Sequence, residues 1–261
     1  MKLFAGFLLV GCCLASGNFF ASPLTQGQKD QGNDATVVQR GQVTEKEHIY
    51  SNEYRKMYPR RGRTFTELIN RSIRAGKTTE EIGILVLEPE IPDDPDAPKV
   101  TPTQFMEKQS CNSDAIVVGT VQDKKSHMTD DEKDIYTAYT LIVSKVLKNN
   151  LKLTIQVEDV IEVTRPGGII KLDGRRIKAE DRTYPFLQKE KSYLLFLRFI
   201  PSISGYIVAG PDSDYRREDD GSFTPLFSTY LPYEVRHGKN LSTLLTDQRI
   251  LSGEQCSEEG R

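Results

Sequence analysis

The sequence has little charge imbalance, 4 cysteines, 3 histidines and no long apolar stretch. Each shortage excludes something. A bilayer-spanning helix takes about 20 consecutive apolar residues, and no run in the chain reaches that length, so a helical membrane span is not expected. With 35 basic residues against 37 acidic ones, the formal net charge is −2. That leaves no bulk attraction toward nucleic acid or an anionic membrane. The histidines, His48, His127 and His237, sit in separate polar segments. No G-x-S-x-G turn or active-site cysteine setting accompanies them, which argues against a Ser-His-Asp or Cys-His machine. Isolated cysteines and scattered histidines also lack the spacing of a zinc site. Pro166-Gly167-Gly168 is followed by a strand pattern and not by a helix, so it reads as a turn and not as a phosphate cradle. The acidic pairs Asp130-Asp131 and Asp219-Asp220 lack the spaced oxygen ligands and distal Glu of a calcium loop, and read as solvated loops. No catalytic residue, cofactor or metal site is therefore assigned.

What the chain does have begins at its N-terminus. Lys2, the apolar run Leu3–Ala15 and the small residues after it form a secretory signal over residues 1–17, with cleavage after Gly17. Leu9-Val10-Gly11-Cys12 resembles the lipobox of bacterial lipoproteins, and a lipid anchor at Cys12 is the alternative outcome. Cleavage after Gly17 leaves Cys111 and Cys256. An even pair in an exported protein reads as a disulfide, with two free thiols as the alternative.

Residues 18–43 are polar, with few apolar anchors, and read as a disordered linker. Residues 44–87 form a helical appendage. Thr44-Glu45-Lys46-Glu47 is a capping box opening a helix that must stop before Pro59. Tyr50, Tyr54 and Tyr58 recur every fourth residue on one face of it. Beside Arg60 and Arg61 they form a candidate binding surface, an aromatic platform suited to a sugar or single-stranded nucleic acid; export disfavours nucleic acid, leaving a protein or glycan as the expected ligand, and tyrosines at this spacing more often pack a helix onto a neighbour. Thr64-Phe65-Thr66-Glu67 opens a second helix, with Gly76 as its expected C-terminal cap. Ile82–Leu87 is ambiguous. The preceding Thr79 and Glu80 favour a helical turn, whereas the β-branched content favours a strand. Residues 88–102 (PEIPDDPDAP at their centre) form a spacer.

Residues 103–261 carry the main domain. Thr101-Pro102 caps a short helix reaching about Ser110. Strand patterns follow at Ala115–Val121, Ile135–Leu147, Leu153–Val157, Val160–Val163, Ile169–Leu172, Arg176–Ala179, Tyr193–Arg198 and Gly205–Ala209. Asp173-Gly174 joins two of them as a hairpin. A final helix is expected over Leu241–Ile250, capped by Asn240. The fold class is mainly β with flanking helices, α+β, and the many short strands point to an antiparallel barrel or sandwich.

The succession CNSDAIVVGTV, YTLIVSKVLKNN, VTRPGG, LQKEKSYLLFLR and GYIVAG resembles a domain of uncharacterised exported bacterial proteins. That domain is remotely similar to the OB-like barrel of tissue inhibitors of metalloproteinases. The resemblance covers Cys111 to Gly210 and implies a small closed barrel with a flanking helix. Those inhibitors chelate a protease zinc through a Cys-x-Cys edge at a free N-terminus, which internal Cys111 does not reproduce. The expected function is a non-enzymatic binding module in the periplasm, at the cell surface or secreted, of which an inhibitor of an extracellular protease is the narrower form. A carboxylate-dependent hydrolase of the cell envelope and a lipid-anchored envelope component are the alternatives.

Overall fold

The computed structural model of the chain describes residues 35–38, 44–57, 64–75, 81–86, 101–149, 151–210, 212–227, 243, 247 and 256. The signal segment, residues 88–100 of the spacer, Gly76 and nearly all of the expected C-terminal helix lie outside them. The first elements are β1 (Thr36–Val37), α1 (Glu45–Met57), α2 (Phe65–Arg74), β2 (Glu81–Val86) and α3 (Pro102–Cys111). The long strands β3 (Ala115–Met128) and β4 (Ile135–Lys148) follow, then β5 (Val160–Pro166), β6 (Gly168–Leu172), β7 (Arg175–Asp181) and β8 (Ser192–Ile200). A single 3₁₀ turn at Pro201–Ile203 leads to β9 (Gly205–Val208), β10 (Asp214–Arg217) and β11 (Phe223–Pro225). The result is a mixed α+β fold, mostly strands, with its three described helices all before β3.

Five strands form a ring. β3, β4 and β5 are an antiparallel meander, β8 pairs antiparallel with β3 on one side, and β9 pairs antiparallel with the end of β8. The seam is closed by β5 and β9, which run parallel through Val163↔Tyr206 and Thr164↔Ile207. This corrects the expectation of a wholly antiparallel wall. Strands in a ring of odd number cannot alternate direction at every step, so one pair must run the same way. β10 pairs with the first part of β8, beside the stretch that β9 occupies, and β11 extends it.

The two-residue side-chain period decides what fills the ring. Val117, Val121, Tyr139, Leu141, Val143, Ile161, Val163, Leu195 and Leu197 point inward and share one core. The intervening residues of β3 and β8, Ile116, Val118, Leu194 and Phe196, point outward and are covered by Met106 and Phe105 of α3. Both faces are thus dry, which is why Ala115–Val121 and Tyr193–Arg198 show almost no polar alternation. Three register shifts along β3 curl it around the ring. β3 also runs further than its apolar stretch, through Asp123-Lys124-Lys125 to Met128, because the start of β4 supplies a partner for every residue there.

A second sheet, ordered β1-β6-β7-β2, leans on the ring. The β6–β7 hairpin turns at Asp173 (φ +50°) and Gly174 (φ +78°), as the Asp-Gly pair predicts. α2 presses Phe65 and Ile69 onto Ile170, Leu172 and Ile177 of this hairpin. Gly167 (φ +84°) and Gly168 carry the chain from the ring into the second sheet. A Cβ on Gly168 would lie 2.6 Å from Thr137 Oγ1 and 2.7 Å from Ser126 Oγ, so only glycine passes there.

Two local readings are corrected and an ambiguous one is resolved. Thr36–Val37, inside the segment read as a disordered linker, is a short strand parallel to β6, where an open edge accepts its β-branched residues. Glu81–Val86 is a strand parallel to β7, so the sheet edge overrides the helix cap. Leu153–Val157 is irregular. Asn149 bonds both the amide (2.8 Å) and the carbonyl (2.9 Å) of Ile155, taking the place of a strand partner. Cys111 and Cys256 are joined by a disulfide, Cα–Cα 5.5 Å, a bond that persists in oxidising compartments. Among the described residues no helix is long and apolar enough to cross a membrane.

Candidate functional site

The outward face of β4 and β5 is divided into two parts, and the division begins in the sequence. Along β4 the outward residues are Tyr136, Ala138, Thr140 and Ile142; opposite them on β5 stand Pro166, Thr164, Glu162 and Val160. One end of this face is bare. Ile142 and Val160 are directly opposed and both exposed, Val160 by 65%. The β4–β5 loop adds Leu151, 96% exposed, with Leu153 and Val157 also open to solvent. Isolated apolar residues on a surface mean little, but five on one loop and its two flanking strands form a group. All five are aliphatic.

The other end lies under α1. The capping box places this helix as its sequence demands: the Thr44 amide donates to Glu47 (2.9 Å), and the Glu47 amide donates back to Thr44 Oγ1 (3.2 Å). From the first turn Glu47 reaches His127 of β3, with Oε1 at 3.0 Å from Nδ1. The imidazole stacks on Tyr136, ring centroids 5.2 Å apart. One turn further along α1, Tyr50 stacks on the same Tyr136 at 6.0 Å and its hydroxyl donates to Glu162. Tyr54 meets Tyr136 at 5.5 Å. On the flank, His48 Nδ1 lies 2.8 Å from Asp130, and Arg55 reaches Asp130 (3.1 Å) and Asp131 (3.5 Å).

Burial and charge set the protonation of these groups. Burial lowers His127 from its ordinary value, more than Glu47 can raise it. Burial pushes Glu47 up, but bonds from the Thr44 amide and hydroxyl and from His127 outweigh it, leaving the carboxyl below the usual range. Tyr50 and Tyr136 are pushed up by burial and by nearby carboxylates. At neutral pH the contact therefore holds a neutral imidazole, an ionised Glu47 and two phenols.

A third assembly lies inside the ring. Arg165 of β5 and Asp214 of β10 form an ion pair, 1% and 0% exposed. Arg165 also donates to the Pro185 carbonyl and lies over the Tyr184 ring at 5.8 Å. Burial pushes the Asp214 carboxyl up to about 6 against the pull of Arg165. Both groups are enclosed, so the pair lies out of reach of solvent.

The structure therefore redistributes the residues singled out in the sequence. Tyr50 and Tyr54 are buried against Tyr136, so neither presents an open stacking face; their spacing serves packing. Tyr58, Arg60 and Arg61 lie outside the described residues, as do Gly17, Cys12 and His237. His127 of β3 meets α1, the helix that carries His48, although the two are remote from each other in sequence. The aliphatic loop carried no motif. Its signal was apolar residues, Leu151 and Leu153, flanking Lys152 just after the Asn149-Asn150 turn. Asp130-Asp131 serves the α1 contact, and among the described residues no three His, Cys, Asp or Glu side chains gather as a metal site would require. In comparison with known proteins, no family model and no curated protein matches the chain.

Proposed function

We propose that this protein is an exported, non-enzymatic binding module built on an OB-like barrel, and that it takes a protein partner on the outward face of β4–β5 and its loop. The ring order β3-β4-β5-β9-β8 with a single parallel seam supports the OB-like reading, as does the resemblance of Cys111–Gly210 to exported bacterial domains. OB-like barrels bind across their second and third strands, which here are β4 and β5. The Cys111–Cys256 bond fits an oxidising compartment outside the cytosol.

The observation that carries the reading is the exposed aliphatic group Ile142, Leu151, Leu153, Val157 and Val160. Glycans stack on aromatic rings, and Tyr50 and Tyr54, the described tyrosines of the candidate surface, are buried, whereas aliphatic side chains suit the apolar centre of a protein interface. Inhibition of an extracellular protease is a narrower form of the same reading. It would act through this loop, because Cys111 is committed to its disulfide.

The test is a photo-crosslinking amino acid at Val157 of the full mature chain, exposed to the exported fraction of the native cell. A discrete protein adduct is expected, lost in the Leu151→Asp/Val160→Asp variant while circular dichroism and the melting midpoint are unchanged. An adduct insensitive to that double substitution, or none, overturns the assignment.

A further inference from the structure

The described residues between Lys148 and Val160 belong to no strand, yet the loop they form is tied down from within. Its outermost stretch is Leu151, Lys152, Leu153 and Thr154, all exposed, Leu151 by 96%. We propose that this stretch is a protease-binding loop. It offers Lys152 to a serine protease whose specificity pocket ends in a carboxylate, and it resists turnover at the Lys152–Leu153 bond. The inference deepens the binding role given above to this face and rests on it.

The frame around the stretch carries the argument. Asn149 closes across it onto Ile155 with both of its side-chain groups. Oδ1 accepts from the Ile155 amide (2.8 Å), and Nδ2 donates to the Ile155 carbonyl (2.9 Å). Ile155 itself is buried among the inward residues of the ring. Within the stretch, the Tyr206 hydroxyl of β9 donates to the Leu153 carbonyl (3.4 Å). A turn follows in which the Gln156 amide donates to Asp159 Oδ2 (2.7 Å) and the Glu158 amide to the Val143 carbonyl (2.8 Å). Glu158 sits in that turn at φ +76°, a left-handed conformation that a side-chain-bearing residue keeps only where its surroundings impose it. An exposed stretch framed in this way has little freedom left to lose on binding.

Lys152 gives the partner its class. A serine protease reads the side chain before the scissile bond, and a carboxylate at the base of that pocket selects a basic one. Leu151 and Leu153 on either side of it add apolar contact. The frame also explains why cleavage does not end the complex. The protease serine hydroxyl adds to the Lys152 carbonyl carbon, the bond to the Leu153 nitrogen breaks, and that nitrogen leaves as an amine carrying the proton the serine gave up. Because Ile155 stays buried and bonded to Asn149, the Leu153 amine stays beside the acyl ester. There it re-forms the amide ahead of water and returns the proton to the serine oxygen.

The experiment titrates trypsin with the full mature chain, reads residual activity, and maps the cut bonds by mass spectrometry. We expect stoichiometric inhibition, weakened about 100-fold by Lys152→Ala and restored by Lys152→Arg. Asn149→Ala should still be recognised but cut at Lys152–Leu153 ~10-fold faster than the wild type. Trypsin left fully active, inhibition untouched by Lys152→Ala, or rapid complete cleavage of the wild-type chain at Lys152 overturns the proposal. A Val157 adduct without trypsin inhibition sinks this proposal and leaves the binding face standing, whereas the absence of both sinks the binding face itself.

Discussion

Two helices lie on the outside of the same ring, and they are held by different chemistry. α3 lays Met106, fully buried, and Phe105 over Ile116, Val118, Leu194, Phe196 and Tyr215, and its last residue is bonded to Cys256. None of those groups changes charge between pH 4 and pH 8. α1 lies on the neighbouring strands by way of tyrosines, imidazoles and carboxylates. Similar packing geometry thus rests on apolar contacts and a disulfide in one helix and on ionisable side chains in the other. The difference is made by which side chains face the sheet, since apolar burial is insensitive to pH and ionisable contacts are not.

The strongest way to break this contrast is to unfasten α3. Replacing both cysteines, Cys111→Ser with Cys256→Ser, opens a loop spanning 145 residues. In the chain-entropy model such a bridge contributes about 5 kcal/mol, and measured losses run at ~2–5 kcal/mol. Urea titration should show that loss at pH 7 and pH 5 alike, because neither sulfur titrates while bonded. A loss confined to one pH would place ionisable groups in the α3 contact and remove the distinction.

The second test concerns the ring between the two covers. Arg165→Met leaves the Asp214 carboxylate enclosed without its counter-ion and should cost about 3–5 kcal/mol at pH 7, whereas Arg165→Met with Asp214→Leu should recover most of it. The same carboxyl fixes the acid response of the wild-type ring. Its folded value, about 6, stands above its ordinary 3.8. Its contribution is therefore fully present below 3.8 and is lost as pH rises through 6. Between pH 7 and pH 4 the ring should gain stability, by at most ~3 kcal/mol, whereas His127, whose value burial lowers, acts on α1 in the opposite sense. Opposite slopes for β8 and α1 in one set of exchange data would sharpen the contrast, and a ring that weakens in acid would contradict the assignment to Asp214. Asp214→Asn should flatten the ring's slope and leave that of α1 as it was.

These two assemblies were legible in the sequence to different degrees, for a physical reason. Helix caps are local, so Thr44, Thr64 and Thr101 mark the starts of α1, α2 and α3 directly. The alternation Thr137, Tyr139, Leu141, Val143 is equally local and gives β4 its inward face. The contacts that matter for function are not local. Glu47 and His127 are 80 positions apart, and Tyr50 and Glu162 are 112 apart. Nothing in the neighbourhood of either residue announces the other. Arg165 sits within VTRPGG, where proline and two glycines advertise a turn, while the ion pair it makes depends on β10 returning to lie against β8. The strand Glu81–Val86 is settled the same way, by an edge of β7 supplied from far along the chain.

The smallest effect is the most discriminating, because the same cap opens both helices with one atom changed. Thr44 and Thr101 each accept an amide bond from the residue three positions on, at 3.2 Å and 3.3 Å. The residue that reaches back is Glu47 in α1 and Gln104 in α3. Threonine-to-alanine at either cap should cost about 1 kcal/mol at pH 7, a roughly fivefold drop in the protection of its helix. The Thr101→Ala cost should be the same at pH 7 and pH 4, since Gln104 does not ionise. At Thr44 the hydroxyl also donates to the Glu47 carboxylate at 2.9 Å, a charge-assisted bond that weakens as that carboxylate takes up a proton. The Thr44→Ala cost should therefore shrink as pH falls below 4.5, the ordinary Glu value. Exchange rates for the two variants across pH 7 to pH 4 test this. Two flat profiles would mean that Glu47 holds α1 by shape alone.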